Sequence, residues 1–494
     1  KAAVFVRPSV DTIQKLSQEL AEPKFKEYHI FFSNVVGPDM LQALADADEN
    51  EVVKQVQEFY GDYVAINEDL FSLNLPDSLR LCVTSNPLHD ETTSALFSRS
   101  VQGLLSVFLS MKMEPSQIRY QGGSEIAHRV AVDVEKHIKA DGIFHFTRQE
   151  GPALIILDRL DDPVTPLLAQ WTYQAMVHEL LGLNNNRVIL KNAPGVRKDL
   201  EEVVLSSTQD AFFAQQKHSN LGDLGGAIKE LLDDYQRQTK RNDDISNVED
   251  MQAFMERYPA FRAQSHNVSK HVALMSELSR QVDICSLMDV SQLEQELACN
   301  EDHSLQLSEL RERIHSPKVK ADNKIRLALL YALRYEDSAN LRQMKQDLID
   351  SGVSPTQVEL IDMVLKFGGK RRRSPGLYGD RSFMSRMAKN LSTGLSGVEN
   401  VYTQHVPLMM NTVDAALKGK LRETHFPFVG PSSDSRPRKI VVFIVGGVTY
   451  EEATKVFELN SSSAGVQVLL GGTSVQNSTS FLKELSAVEV SAYA

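Results

Sequence analysis

The sequence is poor in cysteine, has a single tryptophan, lacks any long apolar run, and carries fewer basic than acidic residues: 53 Lys and Arg against 65 Asp and Glu, a net charge of -12. Cys82, Cys285 and Cys299 lie far apart with no CxxC pair, so neither a disulfide framework nor a zinc knuckle is indicated, and a reducing, cytosolic setting is expected. The longest apolar runs, such as KIVVFIVGG at 439–447, are of strand length and fall short of the ~20 residues that span a bilayer. Membrane association is therefore expected to be peripheral. The acidic balance argues against nucleic acid as the main partner, because a phosphate-binding surface needs a basic stripe. Protein partners stay open.

What is present is an ordinary globular composition, 42% hydrophobic and 24% charged, in 494 residues, a length that suggests about three domains. Residues 1–85 alternate strand and helix in the rhythm of a parallel sheet: AAVFVRP, a helix over 10–20, EYHIFFSN, a helix over 41–61 and the strand DYVAIN. The chain opens inside an apolar strand pattern with no initiator Met, so this first α/β domain is expected to be N-terminally incomplete. After a polar linker, a second unit runs over 91–187, and the strand–helix rhythm returns at 437–494. Two lone strands do not make a stable sheet, so the C-terminal pair is expected to complete the second unit, which makes 188–436 an inserted third domain. That insertion reads as mainly helical. Leu221, Leu224, Ile228, Leu231, Leu232 and Tyr235 follow one helical face, as do Met251, Phe254, Met255 and Tyr258, and then Val268, Val272, Met275, Leu278 and Val282. The spacing predicts a hairpin over about 221–282, interrupted at Pro259, where a proline should kink or stop the helix. KIRLALLYALRYE, apolar on most sides, is expected to be a buried helix. The fold class is thus α/β plus a large, mainly helical insertion.

Three aspartates, Asp158, Asp161 and Asp162, follow the apolar strand ALIILD, where open α/β sheets often keep catalytic groups. A magnesium-dependent phosphohydrolase using Asp158 and Asp162 is one reading, but the dehalogenase-type arrangement needs two aspartates separated by one residue. The structural reading is a helix start, with Thr165 as cap, Pro166 at the first position, acidic charge at the positive end and Gly182 as the stop. Gly446-Gly447 and Gly471-Gly472 follow strands without a phosphate-loop or dinucleotide pattern, and the sequence holds no HExxH and no GxSxG. No catalytic residue, metal ligand or cofactor is assigned. The one basic cluster, Lys370 to Arg373, reads as a solvated loop or as a contact for an anionic membrane or acidic partner.

Specific stretches carry a resemblance. ILDRLDDPVTPLLAQWTYQAMVHELLG is similar to a signature of the Sec/Munc (SM) family of cytosolic SNARE-assembly chaperones, and FYGDYVAIN, LGLNNNR, GVENVYTQHVPL, PFVGPSS, VVFIVGGVTYEEA and VLLGGTSVQNSTSFLKEL resemble its endosomal and trans-Golgi branch. The resemblance implies a three-domain arch with two parallel-sheet α/β domains and a helical domain. It implies no enzymatic activity. Its implied partners are a syntaxin-type SNARE, held both by an N-terminal peptide and by its helices, a vesicle SNARE and the assembled SNARE complex, at Golgi, endosomal or vacuolar membranes. Carried over, the peptide groove would involve Leu41, Leu44, Val56, Phe59 and Tyr63. The hairpin would receive SNARE helices through Tyr235, Met251, Phe254, Met255, Tyr258 and Pro259.

Overall fold

The computed structural model describes residues 1–84, 90–140, 142–144, 146, 151–243, 248–374, 376–378, 401–430 and 436–488, with backbone alone over 238–243 and 248–263. Twelve strands are found among the described residues: β1 (Ala2–Val6), β2 (Tyr28–Phe32), β3 (Val53–Glu58), β4 (Val64–Asn67), β5 (Leu70–Ser72), β6 (Gln117–Tyr120), β7 (Ala153–Asp158), β8 (Arg187–Ile189), β9 (Glu202–Val204), β10 (Phe428–Val429), β11 (Lys439–Val445) and β12 (Gln467–Gly472). They form a three-stranded sheet β1-β2-β3, a seven-stranded sheet β10-β6-β7-β11-β12-β5-β4 and the ribbon β8-β9.

The small sheet is all parallel. The helices Val10–Ala21 and Pro38–Ala47 share one core on one side of it, where Ile13, Leu16, Leu20 and Leu44 meet Tyr28, Ile30 and Phe32. On the other side Phe5 and Phe59 are 62% and 46% exposed, and their ring centroids stand 6.4 Å apart, with Phe31 5.8 Å from Phe59. The helix expected over 41–61 is a helix only as far as Ala47. Asp48 accepts from the backbone N–H groups of Val52 (2.9 Å) and Val53 (3.0 Å), and Glu51 takes a left-handed φ of 52°, so the chain turns and runs out as β3.

β4 also departs from expectation. Rather than joining the first unit it pairs antiparallel with β5, and β5 pairs parallel with β12 in the larger sheet. Burial explains the choice: Leu70, Phe71 and Ser72 are all buried, and the Phe71 ring stacks on Phe443 at 6.3 Å. Phe71 also occupies the space above Gly471, where an added Cβ would sit 1.9 Å from the ring. Gly446 (φ 93°) and Gly447 (φ 97°) hold the turn after β11 in a conformation L side chains rarely adopt. These glycines serve packing and turn geometry. The centre of the sheet is parallel, β7 pairing with β11 and β11 with β12, so the C-terminal strands complete the sheet begun at β6.

Between β7 and β11 the chain builds the helical insertion. Its long hairpin consists of the helices Leu221–Asp243 and Val248–Ile284. The second runs 37 residues through Pro259 as one continuous helix, contrary to the expected interruption. A proline withdraws one N–H from one carbonyl, and the rest of the helix is held elsewhere, by Leu274, Leu278 and Val282 in a core shared with Leu224 and Ile228. Ala321–Arg334, the expected buried helix, has Ile325 to Leu333 inside. One apolar core continues from Ile156 and Phe443 of the sheet to Tyr331, Phe367 and Phe481, so insertion and sheet are packed as a unit.

Candidate functional site

The segment after β7 is the first place to look for chemistry, and its carboxylates are already committed. Asp158 accepts from Ser124 Oγ (2.7 Å) and from the Leu160 N–H (2.9 Å). Asp161 accepts from the Ser374 N–H at 2.7 Å, and burial pushes its carboxyl up to about 6. Asp162 accepts from the N–H and Oγ of Thr165 (2.9 and 2.6 Å) and from the Leu408 N–H (3.1 Å). Burial works to raise Asp162, but His405, Arg159 and Thr165 outweigh it and hold it below its ordinary value. The space beside these groups is about 30 Å³, room for one or two waters. Asp158 and Asp162 thus tie loops together and do not face a substrate-sized site, which leaves the phosphohydrolase reading without geometry.

The capping reading needs its own correction. Asp162, not Thr165, is the capping group, and it starts only the 3₁₀ turn Thr165–Leu167; the chain then extends and resumes as the helix Tyr173–Met176 and a wider turn over Val177–Leu181. Gly182, at φ 82°, ends that element as expected. Arg159, 1% exposed, donates to both Glu452 oxygens (2.8 and 2.7 Å) and to the Gly447 carbonyl, while Glu452 closes a capping box with Thr449. The basic cluster is only partly solvated: Arg373 is buried, pairs with Glu336 at 2.7 Å and donates to the Gly368 and Leu333 carbonyls.

The five residues carried over for a peptide groove separate in space. Leu41, on the helix Pro38–Ala47, is 38% exposed, and Val56, opposite the inward-facing Ile30 on β3, is 44% exposed, so both present apolar surface at the helix side of the small sheet. Leu44 is 4% exposed and belongs to the core. Phe59 lies with Phe5 and Phe31 on the opposite face. Tyr63 turns toward the large sheet, edge-on to Phe71 and hydrogen-bonded to Ser110 at 2.9 Å.

At the hairpin, Tyr235 lines a cavity of about 550 Å³ with Leu232, Val272, Ser276, Arg197 and Arg280. The side chains of Met251, Phe254, Met255, Tyr258 and Pro259 lie outside the described residues. A buried polar set anchors the base of the second arm: Asp210 accepts from Lys270 (2.5 Å) and meets His271 Nε2 at 2.9 Å, while His271 Nδ1 meets the Tyr173 hydroxyl at 2.8 Å. Against the desolvation of burial, His271 and Lys270 hold Asp210 well below the usual carboxylate range. A second set joins insertion to sheet, Arg326 pairing with Glu294 and with Glu179 (3.1 Å), and Glu179 receiving the Ser478 N–H (3.0 Å). Sequence reading missed both sets. The available sign was Arg326 inside an otherwise apolar helix, since a buried guanidinium requires a carboxylate.

A two-unit α/β frame with a helical insertion packed into it and a long hairpin in that insertion has the architecture expected of the SM class, and no catalytic group is assembled among the described residues. The profile of the Sec1 family matches residues 1–484, and the chain belongs to that family. It is similar to vacuolar protein sorting-associated protein 45 of Homo sapiens, 46% identical over 493 residues that cover 99% of this chain and 85% of the relative. The Dictyostelium discoideum protein of the same name is 42% identical over 494 residues, covering 99% of this chain and 86% of the relative. Among solved structures it resembles the SM protein Vps45 in complex with the Qa SNARE Tlg2, with a TM-score of 0.89 and 45% identity over 98% of this chain and 85% of that one.

Proposed function

We propose that this chain is an SM chaperone that binds a syntaxin-type Qa SNARE and templates SNARE-complex assembly for vesicle fusion in trans-Golgi, endosomal or vacuolar transport. The observation that carries the reading is the likeness, at 45% identity and a TM-score of 0.89, to an SM protein solved with the Qa SNARE Tlg2. Two surfaces suit such a partner. Leu41 and Val56 offer exposed apolar area at one side of the small sheet, where an N-terminal peptide can bury an apolar anchor. The hairpin offers long helical faces above a well-anchored base, the geometry that receives amphipathic helices, and there a vesicle SNARE would align against the Qa SNARE. The protein works by binding and not by turnover, in keeping with aspartates that are consumed as loop ties. No helix among the described residues is long and apolar enough to cross a membrane, which suits recruitment to Golgi or endosomal membranes through SNAREs. The test is co-purification with the cytosolic region of a Qa SNARE from these membranes: a stoichiometric complex is expected, and failure to form one with any Qa SNARE of that class would refute the reading.

A further inference from the structure

Alternation along β6 and β7 puts Gln117, Arg119, Ala153 and Ile155 on one face of the large sheet, because Gln117 pairs with Ala153 and Arg119 with Ile155. The segment from Gly419 to Phe428 crosses over them and leaves a cavity of about 180 Å³. Two groups on its floor lack what burial demands. Gln117 is 7% exposed, and its Oε1 has no hydrogen-bond partner among the described residues. Arg119 is 8% exposed; it donates to the carbonyls of Leu421 (2.8 Å) and Phe426 (2.8 and 2.9 Å) and lies 4.3 Å over the Phe428 ring. Its charge forms no ion pair among the described residues; burial acts against that charge, and Glu423, exposed at the cavity wall, is the carboxylate that offsets it.

The rim adds more positive charge. Gly419 lines the cavity, at φ 65°, and lies so close to Arg436 that an added Cβ would stand 3.0 Å from its Cγ and 3.1 Å from its Nε, so the Arg436 side chain packs against that edge of the cavity. Lys420, Arg422 and Arg438 are exposed on the two segments that flank it, without ion pairs among the described residues. Lys418 is the exception, satisfied by Asp414 at 2.7 Å. In a chain of net charge -12 this is a local reversal of sign around a recessed guanidinium that forms no ion pair among the described residues.

We propose that this cavity is a binding site for a phosphomonoester, supplied by the phosphorylated inositol headgroup of a membrane lipid. One phosphate fits the volume. Its oxygens accept from Arg119 and Arg436, a buried guanidinium with no ion pair among the described residues being suited to such a group, and a headgroup hydroxyl gives Gln117 Oε1 the donor it lacks. The lipid source follows from the cations outside the cavity: a free phosphate leaves Lys420, Arg422 and Arg438 unused, whereas an anionic bilayer surface engages all three.

The test is co-sedimentation of the whole chain with phosphatidylcholine vesicles containing a few mole per cent of phosphatidylinositol monophosphate, against vesicles brought to the same charge with phosphatidylserine. Monophosphate vesicles should bind roughly tenfold more tightly, and soluble inositol phosphate should compete. Arg436→Glu, at an exposed position, should lose that preference at an unchanged melting temperature, while Glu423→Gln should strengthen it. Arg119→Lys keeps the charge but not the fork, and if folded it should lose the preference for monophosphate over phosphatidylserine. Equal binding to both vesicle types, or a full preference retained in Arg436→Glu, overturns the site. Binding of inositol phosphate in solution without vesicle binding overturns the lipid assignment.

Discussion

The two sheets are held together in different ways. In the small one, β1 to β3 and their two helices follow one another along the chain and share a single apolar core on one side. In the large one, β7 and β11 are neighbours although the whole helical insertion separates them, and buried charge closes the distance: Arg159 reaches Glu452 from the other side of the insertion, and Arg326 reaches Glu179 from within it. At the joint between the two units Asp62, 5% exposed, meets Arg7 at 3.0 Å and Arg99 on the helix Glu91–Met111, while Val35 and Tyr60 pack against the larger core. The contrast separates two jobs. The large unit is a frame whose parts are registered by ion pairs that tolerate no loss of a partner, and the small unit is a local fold that can expose Leu41 and Val56 without weakening the frame.

The largest effect should come from breaking the frame. Arg159→Ala leaves Glu452 buried without its partner and should lower stability by about 3–5 kcal/mol, read by chemical denaturation. A loss under about 1 kcal/mol would mean the pair does not register the two halves of the sheet. In the small unit, Leu44→Ala should cost about 2–4 kcal/mol, whereas Leu41→Ala, three residues away on the same helix, should stay within about 0.5 kcal/mol. Equal costs would remove the distinction between core and surface there. Gly471→Ala forces a methyl into the Phe71 ring and should cost about 1–3 kcal/mol, with partial recovery when Phe71 is reduced to Leu.

The smallest effect is a pH dependence. Asp161, raised from 3.8 to about 6 in the fold by burial, keeps its proton where the unfolded chain has lost it. Its contribution is therefore most favourable below 3.8 and is lost as pH rises through about 6. Asp161→Asn should flatten that fall and be the more stable protein at neutral pH. An unchanged slope in denaturation between those values would place the burial effect elsewhere.

The elements that could be read in the sequence were those whose periodicity is their packing. Leu221 to Leu232 and Val272 to Val282 step along helical faces because they share one core, and Ile325 to Leu333 is buried throughout because it is covered all round. β3 is hard to read because Val53, Val56 and Phe59 have helical spacing and would alternate faces in a regular strand; the deciding features are the Asp48 side chain on the N–H groups of Val52 and Val53 and the register shift opposite Tyr28 and His29. Likewise Thr165-Pro166 has the composition of a helix start, but Asp162 has only a 3₁₀ turn to cap. For the partner surface, Leu41 and Val56 came from the family resemblance and not from any local pattern. Leu44 differs from Leu41 only in which way the helix turns it, a distinction that composition does not carry.

Recognition of a Qa SNARE is read by calorimetric titration of the chain with a Qa SNARE cytosolic region, with and without its N-terminal peptide. The expected result is a one-to-one complex weakened roughly tenfold or more by deleting the peptide or by Leu41→Arg, because burial of an unpaired charge costs several kcal/mol, with Phe59→Arg on the opposite face leaving affinity unchanged. A folded Leu41→Arg protein that binds as tightly as the parent, or a parent chain that does not bind at all, would contradict it.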